Sequence, residues 1–289
     1  MGGGFIIARS AVLVASSWQT MTTTVRVRAG LFPLLCWIVV SAAGCSDGSQ
    51  DDGGGPGPGP TSFWPWLDDY ESPGCSQPNV TCSSFVDARD GRTYRSVAIG
   101  AQTWMGTALN YGEFTDDPDA GAGGEVLKQC PLKDPAWCDR AGAEYRWHTA
   151  MALPECEADD CLAFIHAPHQ GICPDGWHVP TVEETMTLLD AVGTTTGPDC
   201  DTGAALKSTE GWVNAGEDDV NTDTSGLSVL PQVMTPSAGT VWVTMTGIWT
   251  ASTNAQGVSV LMLGFGDDCA RVDRFRSLQR THSVRCVKD

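Results

Sequence analysis

The chain has 289 residues, with 17 lysines and arginines against 35 aspartates and glutamates, and its formal net charge is −18 at pH 7. So acidic a surface repels nucleic acid and anionic membrane, which excludes nucleic acid as a partner. Twelve cysteines indicate an exported protein, because thiols pair as disulfides in oxidising compartments.

The first 44 residues are typical of a bacterial lipoprotein signal. Arg26 and Arg28 precede a short apolar run at residues 31–40, and small residues follow it up to Cys45. A membrane span needs about 20 apolar residues, so this run indicates a secretory signal. The cysteine after Ala-Ala-Gly resembles a lipobox, which predicts lipidation at Cys45 and an anchor in the outer membrane or at the cell surface. The alternative is an ordinary signal peptide, and we expect the true start at Met21.

Three segments follow the signal. Residues 45–62 form a flexible glycine- and proline-rich linker, because residues 46–60 have no apolar side chain to bury. Residues 63–84 form an N-terminal strap, whose Trp64 and Trp66 we expect to dock against the core rather than form an exposed binding patch. Residues 85–289 form the globular domain.

The sequence of the first half of the domain predicts mostly strands and loops. Asp90 and Gly91 indicate a hairpin turn between residues 85–86 and a strand at 94–99, and a further strand is expected at 102–105. Residues 111–136 have little periodicity and predict a long loop. Residues 144–151 predict a strand that turns into a short helix.

A capping box marks the central helix. Thr181 and Glu184 stand three residues apart, and the helix that they start is expected to bury Val182, Met186, Leu189 and Val192 and to end at Gly193. A helical turn is predicted at 203–208, and strands are predicted at 226–230, 240–246, 248–252, 258–263 and 283–287. This pattern favours an α+β fold with an antiparallel sheet.

Five stretches carry a family resemblance: CPDGWHVPTVEE (173–184), FVDARDGRTYRSVAIGAQTWM (85–105) with LNY (109–111), LKSTEGW (206–212), TDTSGLSVLP (222–231) and SVRCVKD (283–289). They resemble the Fibrobacter succinogenes major paralogous domain, a family of bacterial surface and secreted proteins. The resemblance implies a C-type-lectin-like fold, similar also to formylglycine-generating enzymes, with one or two helices and long disulfide-stapled loops. It implies no activity, because the family has no established one.

Ten cysteines remain after Cys36 and Cys45 are set aside. Short separations suggest the pairs Cys75–Cys82, Cys130–Cys138 and Cys156–Cys161, although connectivity does not follow from sequence alone. The resemblance implies the pair Cys173–Cys286, which leaves Cys200–Cys269.

Two metal sites are conceivable. Asp219, Asn221 and Asp223 place oxygen ligands on every second residue, as at the start of a calcium loop, although the glycine and glutamate of an EF-hand are missing. An acidic surface loop is the alternative. Cys156, Cys161, His166, His169 and Cys173 have loose zinc-like spacing, and disulfides are favoured over zinc there.

Catalytic motifs are absent from the sequence, and His178 is expected to be a packed residue rather than a general base. Most tryptophans lie in the matched stretches and are expected in the core, whereas Trp137 and Trp242 are candidates for stacking against sugars. The sequence therefore predicts a non-enzymatic surface lipoprotein that binds an extracellular glycan or protein. The alternatives are a structural envelope protein and, less favoured, an enzyme of the formylglycine-generating type.

Overall fold

The computed structural model describes residues 73–117, 125–154, 164–197, 199–212, 220–234, 242–254, 257–264, 268–275 and 280–289. Backbone contacts divide the chain into residues 1–57 and 58–289, and every described residue lies in the second unit. The expected signal, the expected lipidation site at Cys45, and the residues Trp64 and Trp66 lie outside the described residues. Within the described part of the chain, no helix has the length and apolar character needed to cross a membrane.

Thirteen strands and four α-helices are found in the described residues. The strands are β1 (Thr81–Val86), β2 (Thr93–Ile99), β3 (Gln102–Met105), β4 (Glu113–Phe114), β5 (Leu127–Lys128), β6 (Glu144–Arg146), β7 (Trp177–His178), β8 (Gln232–Met234), β9 (Trp242–Asn254), β10 (Gly257–Gly264), β11 (Arg271–Phe275), β12 (Thr281–Ser283) and β13 (Val287–Lys288). The helices are α1 (Pro135–Ala141), α2 (Trp147–Ala150), α3 (Val182–Val192) and α4 (Thr202–Leu206). Short 3-10 turns cover Pro73–Ser76 and Pro131–Lys133.

A five-stranded antiparallel sheet has the order β1-β2-β3-β13-β7. Its first hairpin pairs Val86 with Thr93, and Gly91 in the turn has a φ of 74°, a left-handed value that favours glycine. This confirms the hairpin and the β3 strand predicted from the sequence. Because β13 is the end of the chain, the C-terminus closes the sheet between β3 and β7.

The second sheet has the order β11-β10-β9-β12-β6, and β8 also pairs with β9. Its pairs are antiparallel except for β12 with β9, which is parallel. The sequence predicted two strands, at 240–246 and 248–252, and in the structure they form the single strand β9. The predicted strand at 226–230 is wrong, and β11 was not predicted, because its charged residues give no clear apolar alternation.

Two hydrophobic clusters form the core. One cluster contains Trp147, Trp177 and Trp249, and the other contains Trp104 and Trp212. Buried indole N–H groups find acceptors, since Trp147 Nε1 donates to Thr250 O over 3.0 Å and Trp249 Nε1 donates to Tyr145 O over 2.6 Å. These five tryptophans are therefore core residues, as predicted. The fold is α+β, and the C-type-lectin-like arrangement stays a prediction.

The helix α3 begins at the predicted capping box. Glu184 N donates to Thr181 Oγ1 over 3.2 Å, and Thr181 N donates to Glu184 Oε2 over 2.8 Å. The other oxygen of Glu184 lies 2.8 Å from Nε2 of buried His178, whose Nδ1 lies 2.7 Å from Asp289 Oδ1. Burial would raise the pKa of Glu184, but the hydrogen bonds from Thr181 and His178 outweigh it and lower the pKa. One carboxylate thus joins the helix start, β7 and the chain end.

The Glu184→Ala variant is expected to lower the free energy of unfolding by about 2 kcal/mol, because it removes a helix cap and leaves a buried imidazole nitrogen without a partner. The neighbouring residue Glu183 is exposed, so Glu183→Ala serves as the control and should change stability by no more than about 0.5 kcal/mol. Urea denaturation of both variants measures the difference. Equal losses would contradict the structural role of Glu184.

Candidate functional site

One opening in the described residues, which we call the main cleft, has a volume of about 590 Å³. It lies between the β1–β2 turn, the segment after β3, and strands β4 and β5. Its lining is mostly polar and comprises Arg89, Asp90, Arg92, Asn110, Tyr111, Gly112, Glu113, Glu125, Val126 and Lys128. The cleft holds three cationic and three anionic side chains in a chain whose net charge is −18.

Arg89 is held rigidly at one wall of the main cleft. Its guanidinium donates from Nη2 to Asp87 Oδ2 over 2.7 Å and from Nη1 to Ile172 O over 2.9 Å, and it lies 3.9 Å above the Tyr111 ring. Burial would raise the pKa of Asp87, but the hydrogen bonds from Arg89 outweigh it and lower the pKa. Arg89 therefore orients the Tyr111 ring and is itself fully engaged.

Two buried tyrosine hydroxyls hold the backbone of residues 109–111. Asn110 N donates to the Tyr94 hydroxyl over 3.1 Å, and the Tyr145 hydroxyl accepts from Tyr111 N over 2.9 Å and donates to Tyr111 O over 2.8 Å. Burial raises the pKa of Tyr94 to about 12 and that of Tyr145 well above its usual value, so both stay protonated. The segment reaches the cleft in one fixed conformation.

Strands β4 and β5 close the opposite wall through a parallel pairing. Gly112 precedes β4 with a φ of 102°, and a Cβ there would collide with the carbonyl of Val126. Glu113 N donates to Val126 O over 2.8 Å. The sequence predicted only a loop over residues 111–136. That prediction is wrong for these two strands, which are too short to show alternation.

Asp139 connects two further side chains of the cleft. Its Oδ1 accepts from Arg92 Nη1 over 2.9 Å and from Asn110 Nδ2 over 3.0 Å. A carboxylate only accepts hydrogen bonds, so the amide of Asn110 must turn its nitrogen toward Asp139. Asn110 is 4% exposed, and its Oδ1 has no hydrogen-bond partner among the described residues.

A second cavity of about 160 Å³, the side cavity, shares Arg92 and Asn110 with the main cleft. Thr107 also lines the side cavity, and its Oγ1 is another buried atom for which the described part of the chain supplies no partner. Two unsatisfied oxygens in one wall are unusual in a folded protein, since buried polar atoms are nearly always hydrogen-bonded. The unsatisfied oxygens of Asn110 and Thr107 therefore both belong to residues that line the side cavity, and Asn110 also lines the main cleft.

Lys128 is the third cation of the main cleft. It is 8% exposed, and its Nζ donates to Asn110 O over 3.2 Å. Burial lowers the pKa of Lys128, and the charge of Arg92 adds to this, whereas the charges of Asp139, Asp90 and Glu113 act in the opposite direction. The cleft thus presents a rigid set of donors and acceptors around one aromatic ring. This arrangement suits recognition of a polar molecule through several hydrogen bonds.

The family described as the Fibrobacter succinogenes major domain matches residues 97–288 of the chain. The match covers about two thirds of the 289 residues. The chain belongs to this family. Its Fibrobacter succinogenes major domain includes Asn110, Tyr111 and Lys128 of the cleft, whereas Arg89 and Arg92 precede the matched region. No curated protein and no solved structure matches the chain.

The described residues of the Fibrobacter succinogenes major domain and its N-terminal strap contain four disulfides. They join Cys75 to Cys82, Cys130 to Cys138, Cys173 to Cys286 and Cys200 to Cys269, the pairs proposed from the sequence. The proposed pair Cys156–Cys161 lies outside the described residues. Because Cys173 is bonded to Cys286, it is not available as a thiolate ligand in the zinc site considered from the sequence.

The candidate calcium loop of the domain is partly described. Asp223 is fully buried, and its two oxygens accept from Ser228 N over 2.9 Å and from Ser228 Oγ over 2.5 Å. Asn221 is 7% exposed, and Asp219 lies outside the described residues. Asp223 therefore acts as a turn-forming residue here. In the described residues, no group of three or more histidine, cysteine, aspartate or glutamate side chains is arranged to hold a metal ion.

The structure describes the side chain of only one of the two tryptophans that were candidates for stacking against sugars. Trp137 lies in α1 and is only 6% exposed, so its ring offers no open face to a sugar. This corrects the expectation for Trp137, which is buried in the helix that also carries Cys138 of the Cys130–Cys138 bond. Trp242 begins β9, and its side chain lies outside the described residues.

The main cleft itself was not predicted from the sequence. Residues 109–111 belong to a stretch that matches the Fibrobacter succinogenes major domain, but nothing in that stretch indicated that Asn110 and Tyr111 line an opening. Lys128 lies in a region that was interpreted as loop. Only the pairing of β4 with β5 and the turn after β1 bring these residues together.

Proposed function

We propose that the protein is an exported, lipid-anchored surface protein without enzymatic activity, which binds an extracellular glycan in the main cleft. The observation that carries this proposal is the rigid polar lining of the cleft around the Tyr111 ring. Sugar hydroxyls both donate and accept hydrogen bonds, so they complement a surface that offers carboxylates, the guanidinium group of Arg92 and an amide together. The volume of about 590 Å³ lies within the range of small-molecule sites.

Preorganisation favours binding at this site. The side chains of Arg89 and Asn110 are already held by hydrogen bonds to Asp87 and Asp139, so little conformational entropy is lost when a ligand arrives. Tyr111 contributes an aromatic ring whose orientation is set by Arg89. These features favour a glycan over a protein partner, because a protein surface would need a larger and less concave area.

Export and lipidation are supported by separate observations. The apolar run before Cys45 ends in small residues, as lipoprotein signals do. The described domain contains four disulfides, which persist in oxidising compartments. An enzyme of the formylglycine-generating type could use Cys269 and Cys286 as a redox pair, but the two cysteines are bonded to Cys200 and Cys173, which gives no support to this alternative.

A glycan array probed with the full chain in detergent tests the proposal. We expect binding to a restricted set of glycans, and Arg92→Ala should weaken that binding by about tenfold or more, because Arg92 lines both openings and is 41% exposed at its side chain.

Arg271→Ala is the matched control. Arg271 is an exposed arginine on β11 that also faces an aspartate, at 3.9 Å, and lies outside both openings. Its replacement should leave glycan binding unchanged. Absence of binding to any glycan, or equal losses in the two variants, would overturn the proposed site.

A further inference from the structure

Lys128 differs from the other two cations of the main cleft in its partners. Arg89 is paired with Asp87 at 2.7 Å, and Arg92 is paired with Asp139 at 2.9 Å. Lys128 has no carboxylate within 4.0 Å among the described residues, and its Nζ has a single acceptor, the carbonyl of Asn110. An ammonium carries three donors, so most of its hydrogen-bonding capacity is unused.

An ammonium in this position is costly for the folded protein. Buried charges are normally paired, because the loss of hydration is offset only by a nearby opposite charge. Lys128 is only 8% exposed, and it lines the cleft rather than a sealed interior. An anionic group of a ligand in the cleft could therefore reach it and supply the missing charge.

The remaining charges of the cleft restrict what that anion can be. Glu113 and Glu125 are exposed residues of the same lining, and Asp90 lies near Arg92. A doubly charged phosphate would be repelled by these carboxylates more strongly than a singly charged carboxylate. Hydroxyl groups on the same ligand would instead donate to Glu113 and Glu125.

We propose that the main cleft selects an acidic sugar, in which a uronic-acid carboxylate pairs with Lys128 Nζ and the ring hydroxyls contact the acidic rim. This inference rests on the proposed glycan-binding function and names its ligand class. Lys128 is then the specificity-determining residue, whereas Arg92 and Tyr111 contribute to binding of acidic and neutral sugars alike.

The test uses isothermal titration of the full chain with disaccharides that end in glucuronate, galacturonate or mannuronate, each compared with its neutral counterpart. We expect at least one acidic member to bind about tenfold or more tightly than its neutral counterpart. Lys128→Met should abolish that preference, so that the acidic sugar and its neutral counterpart bind to the variant with equal affinity. Lys133→Met is the matched control, because Lys133 is exposed and does not line either opening, and it should retain the preference.

Folding of the variant is checked separately. Lys128→Met removes a buried charge, so its melting temperature should be equal to or higher than that of the wild type. The wild-type protein provides a second readout through its four lysines, which are few enough for their Cε signals to be separated by NMR. Saturation with the uronate should raise the pH at which Lys128 titrates, and the neutral sugar should not.

The possible outcomes separate this inference from the proposed function. Equal binding of acidic and neutral sugars would overturn the role of Lys128 and leave glycan binding standing. Displacement of the uronate by equal concentrations of sulfate or phosphate would show a general anion site and would also overturn it. Absence of binding to every sugar would overturn both proposals.

Discussion

Replacement of Cys173 and Cys286 by alanine is expected to lower the free energy of unfolding by about 4 to 5 kcal/mol, because the bond closes a long loop in the unfolded chain. The two cysteines are 113 residues apart and fully buried. The bond ties the turn before β7 to the segment between β12 and β13. A typical domain has about 5 to 15 kcal/mol of stability, so this loss would take up a large part of it.

Removal of the Cys130–Cys138 bond is the matched comparison. Its cysteines are eight residues apart, and the same account assigns a closure of that length about 2 to 3 kcal/mol. Both double variants are compared with the wild type by urea denaturation under oxidising conditions. Equal losses would show that loop length does not govern the stabilisation by these disulfides.

Acidification from pH 6.5 to pH 4 is expected to remove about 3 kcal/mol of stability through His282 alone. Its ring is 5% exposed and packs against Trp249 with ring centroids 4.6 Å apart. Neither ring nitrogen has a hydrogen-bond partner among the described residues. Burial lowers the pKa of His282 to about 4 from its usual value of 6.5, and the charge of Arg280 adds to this effect.

The sign of this change in stability follows from the number of protons that the folded and the unfolded chain bind. Between pH 6.5 and pH 4 the unfolded chain holds a proton on His282 and the folded chain does not, so acid favours unfolding. The stabilisation is fully present above pH 6.5 and is lost as the pH falls. Glu144 acts in the opposite sense, because burial raises its pKa to about 7 and its contribution is lost as the pH rises from 4.5.

The comparison of wild type with His282→Leu isolates the histidine, because Glu144 contributes equally to both proteins. Urea denaturation at several pH values should give a difference in unfolding free energy that changes by about 3 kcal/mol between pH 6.5 and pH 4. His166 is exposed, and His166→Leu serves as the control for loss of a histidine at the surface. A flat difference for His282→Leu would mean that the folded protein accepts the charged ring.

Local sequence patterns predicted the ends of the central helix correctly but predicted its buried face only in part. The capping box at Thr181 and Glu184 and the end at Gly193 were predicted correctly, because both depend on hydrogen bonds within a few residues. The buried face was partly wrong, since Met186 is 41% exposed and Thr185 is fully buried. Thr185 Oγ1 donates to Thr181 O over 2.8 Å, which satisfies its hydroxyl and allows a polar residue to face the core.

Pairing between strands that are distant in the sequence is not predicted by such local patterns. The β1–β2 hairpin was predicted because its turn is local, whereas β12 lies parallel to β9 and pairs with β6 from the other half of the chain. No spacing in the sequence specifies partners so far apart. The contact of Lys128 with Asn110 likewise depends on the parallel pairing of β4 with β5, two strands that are too short to show alternation in the sequence.

The sequence by itself determined the α+β class, the family, the core tryptophans, the central helix and a plausible disulfide framework, since each follows from local periodicity, turn chemistry or matched motifs. The tertiary structure decided which side chains line an opening and which charges lack a partner. Arg89, Asn110 and Lys128 are far apart in the chain, and their chemistry depends on burial and on distances of about 3 Å that arise only when the sheets assemble.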